Sequence, residues 1–112
     1  MVHEMKLNEK AFLNIKNGIK KFELRLFDDR RKNIDIGDTI TFHNLNNLDN
    51  TISVEVLALL RYPSFKDFFE DIDYRNCGTA NSLEEKLKRV HTFYTPEQEI
   101  QNGILAIKIK LI

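Results

Sequence analysis

Near the N-terminus, Gly18 to Arg25 read Gly-Ile-Lys-Lys-Phe-Glu-Leu-Arg, which sets a lysine, a carboxylate and a guanidinium at the spacing Gly-x-Lys-x-x-Glu-x-Arg. The three groups have complementary recognition chemistry. Arginine grips phosphate through two parallel hydrogen bonds, lysine supplies a point charge, and a carboxylate accepts from the amine of a base. Lys20, Glu23 and Arg25 therefore suit a nucleotide, provided they face one enclosed space. Strand periodicity sends Phe22, Leu24 and Leu26 to one face and Glu23 and Arg25 to the other. In a regular strand Lys20, three residues before Glu23, points away from it. It joins the other two if it still belongs to the turn after Gly18, which is free to take the left-handed backbone that ends a helix.

Further candidates lie along the chain. Lys21, Arg30 and Arg31 fall in the same basic stretch and are expected phosphate contacts. Tyr62 and Tyr94 offer faces on which a base stacks, although a tyrosine ring with its hydroxyl equally suits the half-buried edge of a core. Arg89 and His91 flank a helix end, where a histidine commonly interacts with the final carbonyls. Cys77 has no fixed histidine partner, His3, His43 and His91 lack zinc-ligand spacing, and the four glycines form no phosphate-cradling loop. No metal or cofactor is expected.

The elements that must position these residues can be read in order. His3 to Leu7 reads as a strand, and Asn8 caps a helix with Ala11, Phe12 and Ile15 on its apolar face. Gly18 stops that helix and the motif strand runs to about Phe27. Asp28 to Asn33 is a polar loop, Thr39 to Asn44 a strand, and Asn44 to Asn50 a polar turn. Thr51 to Tyr62 turns wholly apolar at Leu59 and Leu60, which predicts a central strand. Ser64 then caps a helix whose Phe65, Phe68, Phe69 and Ile72 form a core stripe. Ser82 and Glu85 fit a capping box for a helix carrying Leu83, Leu87 and Val90. Thr95-Pro96 opens another helix, which Gly103 ends before a strand over Ile104 to Ile112. Strands and helices mix without regular alternation, which predicts an α+β domain.

At 112 residues the chain fits one domain, residues 1–112, large enough for a real core. Hydrophobic residues at 42% and charged residues at 30% predict a folded protein rather than a disordered one. The 17 basic and 17 acidic side chains cancel, so any attraction for nucleic acid must come from a local patch. A single cysteine excludes an intramolecular disulfide and suggests a reducing, cytoplasmic address. No apolar run long enough to cross a membrane occurs, so no membrane partner is expected. Oligomeric state is not legible.

The motif at Gly18, Lys20, Glu23 and Arg25, together with Ile36-Gly37-Asp38, Leu87-Lys88-Arg89-Val90-His91, Tyr94 and Gly103-Ile104-Leu105-Ala106-Ile107, resembles the ASCH family, small PUA-related domains associated with RNA binding. The resemblance implies a small mixed PUA-like β-barrel with helices packed outside and a cleft between barrel and helices. It also implies an RNA or nucleotide ligand. One bacterial branch similar to this family hydrolyses the amide of acetylcytidine with a catalytic lysine that maps onto Lys20. Its catalytic threonine falls at Glu23 here, so Lys20 and Glu23 are the catalytic candidates if the chain is an enzyme. ASCH domains in transcriptional coactivators supply a third alternative, a protein-interaction module.

Overall fold

A computed structural model describes residues 1–112, with strands and helices in the order β1 (Val2–Leu7), α1 (Glu9–Lys16), β2 (Phe22–Leu26), β3 (Thr39–Asn44), β4 (Asn47–Tyr62), α2 (Phe65–Asp71), α3 (Leu83–Phe93), α4 (Pro96–Asn102) and β5 (Ile104–Leu111). Side-chain caps start all four helices. Asn8, Ser64, Ser82 and Thr95 each accept from the backbone N–H three residues on, satisfying a donor that a helix start leaves free. The reciprocal capping box forms at Thr95 and Gln98. At Ser82 only half of it forms, because the Glu85 carboxylate accepts from the Asn81 N–H instead of returning to the cap residue.

The strands make one sheet in the order β1-β3-β4-β5-β2, with β1 and β3 parallel and every other pair antiparallel. It curls into a half-barrel with the helices packed on it, in agreement with the expected α+β, PUA-like class. β4 is its central strand, pairing β3 along its first half and β5 along its second, with a register shift between Val56 and Ala58 where it changes partner. This strand starts at Asn47, earlier than the polar composition of 44–50 predicts. The turn itself needs only Leu45 and Asn46, pinned by Asn44 Oδ1 accepting from the Asn46 N–H, so Asn47 already pairs with Asn44, and after a register shift the ladder resumes at Thr51 opposite His43.

Two apolar clusters cover opposite faces of the sheet. Alternation along β5 divides them: Leu105, Ile107 and Ile109 join Phe12, Phe42 and Val56 on the inner face, while Ile104 and Ala106 join Phe22, Phe65 and Phe68 on the outer. The aromatic stripe of α2 is thus core, each buried phenylalanine stabilising by about 1.5–3 kcal/mol. The edge strands β1 and β2 share no ladder. Instead Arg25 Nη2 on β2 donates to the Lys6 carbonyl of β1 at 3.2 Å, so a guanidinium spans the gap in the half-barrel. No helix is long and apolar enough to cross a membrane.

Candidate functional site

The register of β2 carries charge to a place where apolar residues are the norm. Glu23 lies opposite Ile107 and Arg25 opposite Leu105, so both face inward while Phe22, Leu24 and Leu26 pack on the outer cluster. Glu23 is buried there, and a buried carboxylate is costly without partners. Lys20 Nζ donates to its Oε1 at 2.6 Å and Arg25 Nε to its Oε2 at 2.7 Å.

Lys20 reaches Glu23 because it belongs to the turn. Gly18 takes φ 76°, the Asn14 carbonyl accepts from both the Ile19 and Lys20 N–H groups, and Lys20 forms an isolated bridge with Cys77. The parity that would separate Lys20 from Glu23 in a regular strand does not apply. Burial alone would raise the Glu23 carboxyl, but the charges of Lys20 and Arg25 outweigh it and hold the group below its ordinary value. Burial alone would likewise lower the Arg25 guanidinium, yet Glu23 and then Tyr94 raise it. Glu23 and Arg25 are therefore held in their charged forms.

A recess of about 320 Å³ opens over these residues, within the size range of small-ligand sites. β1 and α1 contribute Lys6, Lys10 and Asn14, and the loop after Cys77 contributes Gly78 and Thr79. Helix α3 presents Lys86, Arg89, Val90 and Phe93 at the spacing of one helical face, followed by Tyr94. Tyr94 is braced from behind by Phe65, stacked at 5.8 Å and 19°. Burial pushes its phenol up, against the pull of Arg25. Cys77 also borders the recess, where burial pushes its thiol up to about 12, so it is inert as a nucleophile near neutrality.

Of the residues singled out by sequence, Lys20, Glu23, Arg25, Arg89 and Tyr94 meet in this recess. The others lie elsewhere. Lys21 borders a neighbouring depression with Lys108 and Lys110, and Arg30 is exposed on the loop after β2. Arg31 is half-buried, close enough to Arg25 to feel its charge but outside the lining. Tyr62, at the end of β4, packs edge-on against Phe68 at 5.4 Å in the outer cluster. His91 follows Val90 and is turned by about 100° from the recess face of α3. Its Nε2 meets Glu99 Oε1 at 2.5 Å.

Sequence reasoning missed Lys6, Lys10, Asn14, Lys86 and Phe93, and also Glu99, whose Oε2 accepts from the Phe65 N–H at 2.8 Å. The helical repeat of Lys86, Arg89, Val90 and Phe93 was a usable signal. The α1 and β1 contributors had none, because only folding brings them near α3.

A curled mixed sheet with helices packed on it, and a charged recess beside the gap between its edge strands, defines a PUA-like domain. The sequence model of the ASCH domain family matches residues 5–112, and the chain belongs to that family. The crystal structure of hypothetical protein PH0355 aligns at TM-score 0.89 and 36% identity over 100% of both chains. The solution NMR structure of protein PF0455 from Pyrococcus furiosus aligns at 0.81 and 34%, covering 100% of this chain and 98% of that one. The ASCH protein from Zymomonas mobilis shares the fold at TM-score 0.70 and 12% identity, over 97% of this chain and 66% of its own. No protein of curated function matches the sequence.

Proposed function

We propose that the chain binds RNA or a nucleotide in the recess beside Glu23. The observation that carries this reading is a buried carboxylate with each oxygen on a different cation. Lys20 and Arg25 are thereby fixed in direction before any ligand arrives, which cuts the entropy that two long side chains would otherwise lose on binding. Tyr94 and Phe93 supply rings at the same recess for stacking a base, the usual means by which unpaired RNA is read.

Ligand holding is favoured over amide hydrolysis because Glu23 is engaged by two cations and kept ionised, so it neither offers a hydroxyl nor stands free to move a proton. The test is titration of the wild type and Lys20→Met with a panel of nucleosides, nucleotides and short RNAs. At least tenfold weaker binding in the variant, with its fold intact, is expected. A wild type that binds none of the panel overturns the proposal, and acetate release from acetylcytidine that disappears in Lys20→Ala would move the assignment to hydrolysis.

A further inference from the structure

The charge around the recess is one-sided. Its lining holds six cations, Lys6, Lys10, Lys20, Arg25, Lys86 and Arg89, against one carboxylate, Glu23. In a chain with equal numbers of basic and acidic side chains, that imbalance is local. Glu23 serves Lys20 and Arg25, and Glu85 serves Arg89. Lys86 has no carboxylate partner: its ammonium donates to the Cys77 carbonyl at 2.9 Å, leaving two of three donors for something else.

Lys86 is also partly withdrawn from water. Burial first, then the charge of Lys20, lowers its ammonium below the ordinary lysine value; Arg89 adds to the shift, while Cys77 and Glu23 pull the other way. Like charges are being held together in a half-buried space, an arrangement that an anion relieves. The placement is orderly. The face of α3 bordering the recess is cationic at Lys86 and Arg89 and apolar to aromatic at Val90 and Phe93, and the rise from Lys86 to Phe93 is about 10 Å. A nucleotide lying along that face sets its phosphate at one end and its base at the other.

We propose that Lys86, with Lys20 and Arg89, forms a subsite for a phosphate monoester, so that the recess selects phosphorylated nucleosides over nucleosides. The proposal rests on the nucleotide reading above and names the ligand's anionic group. Two sources share that group, a free mononucleotide and the terminal phosphate of an RNA.

The experiment is calorimetric titration of the full chain with nucleosides, their 5′- and 3′-monophosphates, and pentanucleotides with and without a terminal phosphate. At least tenfold tighter binding of a phosphorylated ligand than of its unphosphorylated counterpart is expected, and the ligand showing the larger gain identifies the source. Lys86→Gln should bring that ratio within threefold, chiefly by weakening the phosphorylated ligands. Lys86→Arg, which keeps charge and donors, should restore most of the preference. If nucleosides and monophosphates bind wild type equally, the subsite is overturned and the nucleotide recess stands. If nothing binds, both fall. Should Lys86→Gln unfold through loss of its bond to the Cys77 carbonyl, Arg89→Gln and the wild-type ratio still decide the matter.

Discussion

Glu23→Gln keeps the shape of the side chain and removes its charge, leaving two cations with no anion between them. In the wild type the Glu23 side chain is 4% exposed and those of Lys20 and Arg25 are 12% and 16% exposed, so water cannot readily take over the lost role. Removing one partner of a buried ion pair costs about 3–5 kcal/mol. Glutamine retains a carbonyl oxygen that accepts one hydrogen bond, which places the expected loss near the lower end, about 3 kcal/mol. At this chain length that corresponds to a melting point lower by about 12 °C. Urea denaturation of the two proteins, analysed for midpoint and slope, provides the measurement. The pH dependence adds a second check. Because the folded Glu23 carboxyl lies below its ordinary value of 4.5, its stabilisation is complete above that pH and is lost as pH falls through the folded value. The gap between wild type and variant should therefore close in acid. A loss under about 1 kcal/mol at neutral pH, the scale of exposed ion pairs, would show that Lys20 and Arg25 reach water and would refute the reasoning.

Three other outcomes follow from the same structure. Replacing the whole triad (Lys20→Met, Glu23→Leu, Arg25→Met) should leave stability equal to or above wild type by up to about 2 kcal/mol, since buried ion clusters are often matched by apolar ones. The same variant should lose ligand binding; urea titration beside ligand titration checks both. Asp38 is held at about 2, first by its hydrogen bond with His3 and then by the Asp35 N–H, with the N-terminal ammonium adding to the effect. Asp38→Asn should thus lower the urea midpoint at pH 6, with the deficit vanishing as pH falls from 3.8 to about 2. Gly103 ends α4 at φ 67°, where an added Cβ would sit 3.2 Å from the Tyr62 carbonyl oxygen. Gly103→Ala should cost about 1–2 kcal/mol from the left-handed backbone alone, measured by urea denaturation, and a neutral substitution would contradict that backbone cost.

What the sequence made legible was what local rules decide. Asn8, Ser64, Ser82 and Thr95 announce helix starts because a cap needs only its own next three residues. Gly18 announces both the end of α1 and the break in parity that frees Lys20. Contacts made by the curl of the sheet were not legible. Lys6 and Arg25 meet only because β1 and β2 are the two free edges of a sheet whose strand order no local pattern encodes. Lys86 reads in isolation as one more solvated lysine on an amphipathic helix, whereas the fold ties its ammonium to the Cys77 carbonyl at the recess. Tyr62 and Tyr94 are equivalent by residue type, yet the first faces Phe68 in the outer core and the second the recess. His91 reads from sequence as a helix-end histidine and binding candidate, because its partner, Glu99, sits on the following helix beyond the reach of spacing arguments.

The most direct test of the recess as a ligand site is ¹⁵N-detected NMR titration of the wild-type chain with cytidine and adenosine monophosphates and a short single-stranded RNA. The account predicts saturable shifts concentrated at Lys20, Glu23, Arg25, Gly78, Thr79 and the end of α3 at Phe93 and Tyr94. Shifts confined to the far end of β3 around Ile36 and Gly37, or no shifts with any of these ligands, would contradict it.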